Sequence, residues 1–98
     1  MSTEILIAPS KPQIKRPGLY QVIVFNDDIS TYQCVIDILT EYFDKNEDEA
    51  YEIAFQADTR SKAIVGIYPK DIALTKLSLA RHALSQTGYP LRIEAMKL

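Results

Sequence analysis

Leu19-Tyr20-Gln21-Val22-Ile23-Val24-Phe25-Asn26-Asp27-Asp28-Ile29-Ser30-Thr31 is the stretch on which the rest of the chain is organised. An apolar, β-branched run gives way abruptly to an amide and two carboxylates, then to two hydroxyl residues that open a helical pattern. Short runs of β-branched and aromatic residues read as strands. Asn and Asp tolerate tight turns and bond their own main chain. Ser30 with Gln33 has the Ser-x-x-Gln spacing of a capping box, which places the helix start at Ser30. Strand, acidic corner and helix in that order put polar side chains where backbone groups and a ligand converge. Acidic turns are common, and this stretch alone favours an ordinary turn.

Outward from the corner, Tyr32 to Phe43 carries Val35, Ile36, Leu39, Tyr42 and Phe43 on one helical stripe. Asp44-Lys45-Asn46 interrupts it. Asn46 with Glu49 repeats the capping spacing, and Glu47 and Asp48 suit the positive end of a helix dipole. Ala50, Ile53, Ala54 and Ala57 form the buried face of a second helix, followed by a polar turn at Asp58-Thr59-Arg60-Ser61. Lys62 to Tyr68 reads as a strand, with Gly66 as a bulge or a point of close packing. Pro69 fits the first turn of a third helix that runs to about Gln86, with Ala73, Leu77, Ala80 and Leu84 inward and Gly88 as its stop. Leu91 to Ala95 alternates apolar and charged residues, the pattern of a strand with one wet face. The elements run β-α-α-β-α-β, a small sheet packed on a layer of helices in an α+β domain. That domain spans residues 18–98. Residues 1–17 contain Pro9, Pro12 and Pro17 among Lys11, Lys15 and Arg16, and read as a flexible N-terminal extension. Its Ile5-Leu6-Ile7 patch fits either an edge strand or a partner contact.

Composition removes several functional classes. The 98 residues are 47% hydrophobic and 24% charged, which describes one globular domain with little room for a deep cleft. A net charge of −2 and a pI near 5.3 argue against binding nucleic acid through its phosphates. Cys34, the single cysteine, lies inside a helical pattern and reads as a small buried hydrophobe. No apolar run is long enough to span a membrane, and the N-terminus lacks a signal-peptide pattern, so a cytoplasmic location is expected. His82, the single histidine, sits mid-helix without a nucleophile partner, so no catalytic constellation forms. Asp27, Asp28 and Asp58 match no cation-binding loop, and there is no glycine-rich phosphate loop. No cofactor or metal is expected.

Further residues carry a resemblance. Tyr20 to Asp28, the hydroxyl of Ser30, Val35-Ile36-Asp37-Ile38-Leu39, Lys62 to Gly66 and Ala73-Leu74-Thr75-Lys76 resemble the ClpS adaptor family in order and spacing. The likeness covers Leu19 to the C-terminus. It implies a monomeric fold with a three-stranded antiparallel sheet against three helices, and a non-enzymatic role. Such adaptors bind N-degrons, a free α-amino group beside a bulky hydrophobic N-terminal side chain. They deliver the bearer to the N-terminal domain of the ClpA or ClpC unfoldase. By this resemblance, Asn26 and Asp28 stand at the ammonium-binding positions, with Asp27 beside them. Ser30 is at the cavity mouth, and Tyr32 and Val35 line it. Asp71 and Lys76 match the unfoldase-contact positions, although isolated charges on a helix usually face solvent only. Charge-assisted hydrogen bonds contribute about 1.5–3 kcal/mol each. Set against the entropy lost on association, this suggests micromolar rather than picomolar affinity.

Three positions depart from the family pattern. Asp58 replaces the histidine that helps hold the α-amine. It still accepts from an ammonium, but adds repulsion toward Asp28. Tyr32 replaces the methionine gate, which implies altered N-terminal residue specificity. Thr31 stands where proline is usual. A domain that binds the unfoldase and modulates it without a working degron pocket remains the alternative. A cation-binding or phosphoacceptor role for Asp27 and Asp28 is a weaker one.

Overall fold

The computed structural model describes residues 18–98, and the expected N-terminal extension lies outside the described residues. The elements are β1 (Leu19–Phe25), α1 (Tyr32–Tyr42), α2 (Glu47–Arg60), β2 (Lys62–Pro69), α3 (Lys70–Ser85) and β3 (Arg92–Lys97). They follow the expected β-α-α-β-α-β order. The β-branched run of β1 becomes the central strand of an antiparallel sheet of order β2-β1-β3. A central strand is covered on more sides than an edge, and Val22, Ile23 and Val24 are accordingly all buried. Val22 and Val24 point into the helix-covered core with Leu39, Phe43 and Ile93, the largest fully buried side chains. Ile23 points to the opposite face, between Ile64 and Glu94.

Both expectations for Gly66 hold. The register passes from Val22 opposite Gly66 to Ile23 opposite Ile64, so Val65 is an extra residue in β2. A Cβ on Gly66 would also lie 2.8 Å from the Tyr68 hydroxyl, which donates to the Phe43 carbonyl. The Asn46–Glu49 capping box forms reciprocally, with bonds of 2.8 and 2.9 Å.

Several boundaries move. Thr31, not Ser30, caps α1: its backbone is extended and its Oγ1 accepts the Cys34 amide at 3.0 Å. Ser30 is unavailable because its own amide is drawn to Asp27 Oδ1 at 2.6 Å, which makes it part of the preceding turn. Asp58, Thr59 and Arg60 form the last turn of α2 instead of a free turn, and the chain reverses at Ser61, whose φ is 77°. Pro69 is the N-cap of α3, just outside its first turn, and the helix ends at Ser85. Gly88, with φ of 80°, turns the following loop.

Thr31→Ala should lower the unfolding free energy by about 1 kcal/mol, the usual loss for an N-cap. Ser30→Ala should be neutral or slightly stabilising, because it deletes a buried hydroxyl that has no partner among the described residues. Urea midpoints at unchanged m-value distinguish the two; equal losses would return the cap to Ser30.

Candidate functional site

The end of β1 and the start of α1 are joined by a corner that the chain's own polar groups hold. Asp27 Oδ1 accepts the amides of Ile29 and Ser30 at 2.8 and 2.6 Å. The Asn26 amide donates to the Ser61 carbonyl at 2.8 Å, tying the corner to the C-cap of α2. Burial would raise the Asp27 pKa, but the Ser30 and Ile29 amides stabilise the carboxylate enough to lower it overall.

A cavity of about 290 Å³ opens behind this corner. Asn26, Asp27, Asp28, Ser30, Tyr32, Val35 and Asp58, the residues expected at the site, all line it. The lining also includes Val24, Phe25, Ala54, Ala57 and Leu91, which the sequence did not single out for this role. Val24, Ala54 and Ala57 carried a readable signal as inward-facing positions of their elements. Leu91 carried the same kind of signal as the first apolar position of the 91–95 alternation, although it lies just before β3.

One wall is apolar, with Val24, Val35, Ala54, Ala57 and Leu91 all buried. The rim carries the exposed Asn26, Asp28 and Asp58. Among the described residues, every charged side chain in the lining is a carboxylate. Asp27 Oδ2 and Ser30 Oγ are buried and have no partner in hydrogen-bonding geometry among the described residues. An apolar hollow edged by acceptors suits a ligand that carries a cationic donor next to an apolar group.

Tyr32 does not fill the hollow. Its hydroxyl donates to Asp58 Oδ2 at 2.7 Å across a sequence gap of 26 residues, and its ring packs in a tilted arrangement on Tyr51, with the centroids 5.5 Å apart. The bond to Asp58, followed by burial, pushes the Tyr32 pKa up to about 12. No group of three or more His, Cys, Asp or Glu suited to a metal occurs among the described residues.

Asp71 and Lys76 lie elsewhere, around a separate hollow of about 370 Å³ between α1 and α3. Lys76 is not an isolated solvated charge. It pairs with Asp44 at 2.6 Å, leans over the Tyr68 ring, and leaves only 21% of its side chain exposed. Asp71 is exposed in the first turn of α3. Cys34 is buried, and burial raises its pKa, which keeps it in the thiol form. No helix among the described residues is long and apolar enough to cross a membrane.

Fold and site together define a small α+β recognition domain with an acceptor-rimmed apolar pocket. A family model described as ATP-dependent Clp protease adaptor protein ClpS matches residues 15–94, and the chain belongs to that family. It is thus an adaptor of the Clp protease and not an enzyme. ClpS of Nautilia profundicola is 44% identical over 80 residues, covering 82% of each chain. ClpS 2 of Mesorhizobium japonicum is 41% identical over 81 residues, covering 83% of this chain and 80% of that one. The solved structure of Agrobacterium tumefaciens ClpS2 bound to L-phenylalaninamide superposes with a TM-score of 0.80 at 30% identity. The match covers 85% of this chain and 100% of that one.

The Tyr32–Asp58 bond has a pH signature. Its folded-state pKa lies above the ordinary value of 10.0, so its contribution to stability is complete below pH 10 and lost as pH rises through about 12. Ultraviolet titration of tyrosinate should show a late-ionising component that Tyr32→Phe removes and Asp58→Asn shifts to lower pH. An unchanged titration in both variants would contradict the bond.

Proposed function

We propose that this chain is an N-degron adaptor. Asn26, Asp28 and the free oxygen of Asp58 receive the α-ammonium. The first side chain of the cargo enters the hollow against Val35, Ala54 and Leu91. Asp27 acts through the corner, holding Asn26 and Asp28 at the rim, and Ser30 lines the mouth. The observation that carries this reading is the open cavity with acceptors on its rim, an apolar wall and only acidic charge in its lining. The phenylalaninamide bound by the Agrobacterium relative, an ammonium beside an apolar ring, is a ligand of the same chemistry. A modulator without a pocket is the weaker reading, because Tyr32 leaves the hollow open.

Tyr32, fixed by Asp58 and backed by Tyr51, stands at the mouth and sets the preference among N-terminal side chains. The hollow at Asp71 and Lys76 is the proposed face for the N-terminal domain of ClpA or ClpC. Its Lys76 is pre-positioned by Asp44. The protein works in this reading as a cytoplasmic monomer, with residues 1–17 serving delivery.

Fluorescence anisotropy with peptides beginning in Phe, Leu, Tyr, Trp and Arg, and with acetylated Phe, tests the pocket. Acetylation should abolish binding. Asn26→Ala and Asp28→Ala should each weaken it by roughly 10- to 150-fold, the loss of one charge-assisted bond. Binding that ignores acetylation would refute the ammonium site. Removal of residues 1–17 should leave peptide affinity intact and stop degradation of an N-degron reporter by the unfoldase and protease; parallel loss of both would contradict the division of roles.

A further inference from the structure

Tyr51 and Phe55 stand one turn apart on α2 and leave 52% and 47% of their surface in solvent. Single exposed apolar residues are ordinary. Tyr51 is joined to the cavity, and Phe55 stands beside it on the same face of α2. The Tyr51 ring lies 5.5 Å from the ring of Tyr32, which lines the mouth. Positions 51, 55 and 58 share one side of the helix, and Asp58 both lines the cavity and accepts from Tyr32. Ala54 and Ala57, farther round the same helix, form part of the cavity wall. α2 therefore presents an exposed aromatic shelf next to the rim, with the cavity wall farther round the helix.

We propose that Tyr51 and Phe55, with the outer edge of Tyr32, form a second subsite that takes the second residue of the bound peptide and favours an aromatic or large aliphatic side chain there. This rests on the N-degron reading above. Consecutive Cα atoms are about 3.8 Å apart, and successive side chains of an extended peptide point in opposite directions. With the first side chain in the hollow, the second lies on the surface at its mouth. The ammonium is held at the acidic corner, so the chain departs from that end and meets α2. Tyr and Phe supply broad apolar contact with little rotamer freedom to lose.

The test uses the full chain and peptides that begin with Phe and carry Phe, Leu, Gly or Asp second, beside free L-phenylalaninamide. Wild type should bind the Phe-Phe peptide roughly three- to ten-fold more tightly than Phe-Gly, the range of one aromatic contact. Phe55→Ala should reduce that preference, and Tyr51→Ala with Phe55→Ala should erase it. In Phe55→Ala, affinity for phenylalaninamide, which has no second side chain, should stay unchanged and so report an intact cavity. Amine-dependent binding with equal affinity for Phe-Phe and Phe-Gly overturns the subsite alone, as does a preference that survives in the double variant. Binding indifferent to acetylation overturns the pocket reading and the subsite with it.

Discussion

Three hydrogen bonds around one short corner organise this molecule. Asp27 Oδ1 collects the amides of Ile29 and Ser30, and the Asn26 amide reaches the carbonyl of Ser61. The first two turn the chain out of β1 and into α1. The third links that turn to the end of α2, where Ser61 adopts a left-handed backbone that a non-glycine residue holds only under tertiary constraint. The two helices and the central strand therefore meet at a fixed separation. Ala54 and Ala57 are small and Tyr32 is turned toward Asp58, and the gap left at the junction is the cavity.

The order and type of every element were legible because each has a strong local period. The β-branched run of β1, the stripe of α1, the alanine face of α2 and the alternation of β3 reflect burial on one side, which leaves a mark in the sequence. The ends were less legible. Ser30 and Thr31 are both competent caps, and the choice between them depends on Asp27 withdrawing the Ser30 amide. Asp58-Thr59-Arg60 is as polar as a loop, but an exposed last turn of helix admits the same composition. Ala54 and Ala57 on the inner side carry α2 through it.

The site divides along similar lines. Asn26 to Ser30 could be suspected from the corner itself, and Val35 from its helical stripe. Asp58 had no local signal, and family likeness alone placed it with the others. Its bond to Tyr32 was beyond either kind of reading, because each residue departs from the family pattern and their contact depends on how α1 crosses α2. Lys76 shows the opposite error. It read as an isolated charge, yet the break after α1 brings Asp44 against it.

The pairing of Tyr32 with Asp58 also addresses the repulsion that a third carboxylate introduces. Asp27, Asp28 and Asp58 share the lining of one small hollow, and no basic side chain among the described residues lines it with them. Asp27 is compensated by backbone amides and Asp58 in part by a phenolic hydroxyl, both neutral donors. Neutral donors lower the cost of the charges without cancelling their field. The field that remains repels anionic groups and attracts a cation, and it is strongest where the hollow excludes water. An acidic side chain is thus opposed by the same groups that attract an ammonium, so discrimination for charge is built into the rim. In the N-degron reading proposed above, discrimination for shape falls to Tyr32 and the aromatic residues beside it.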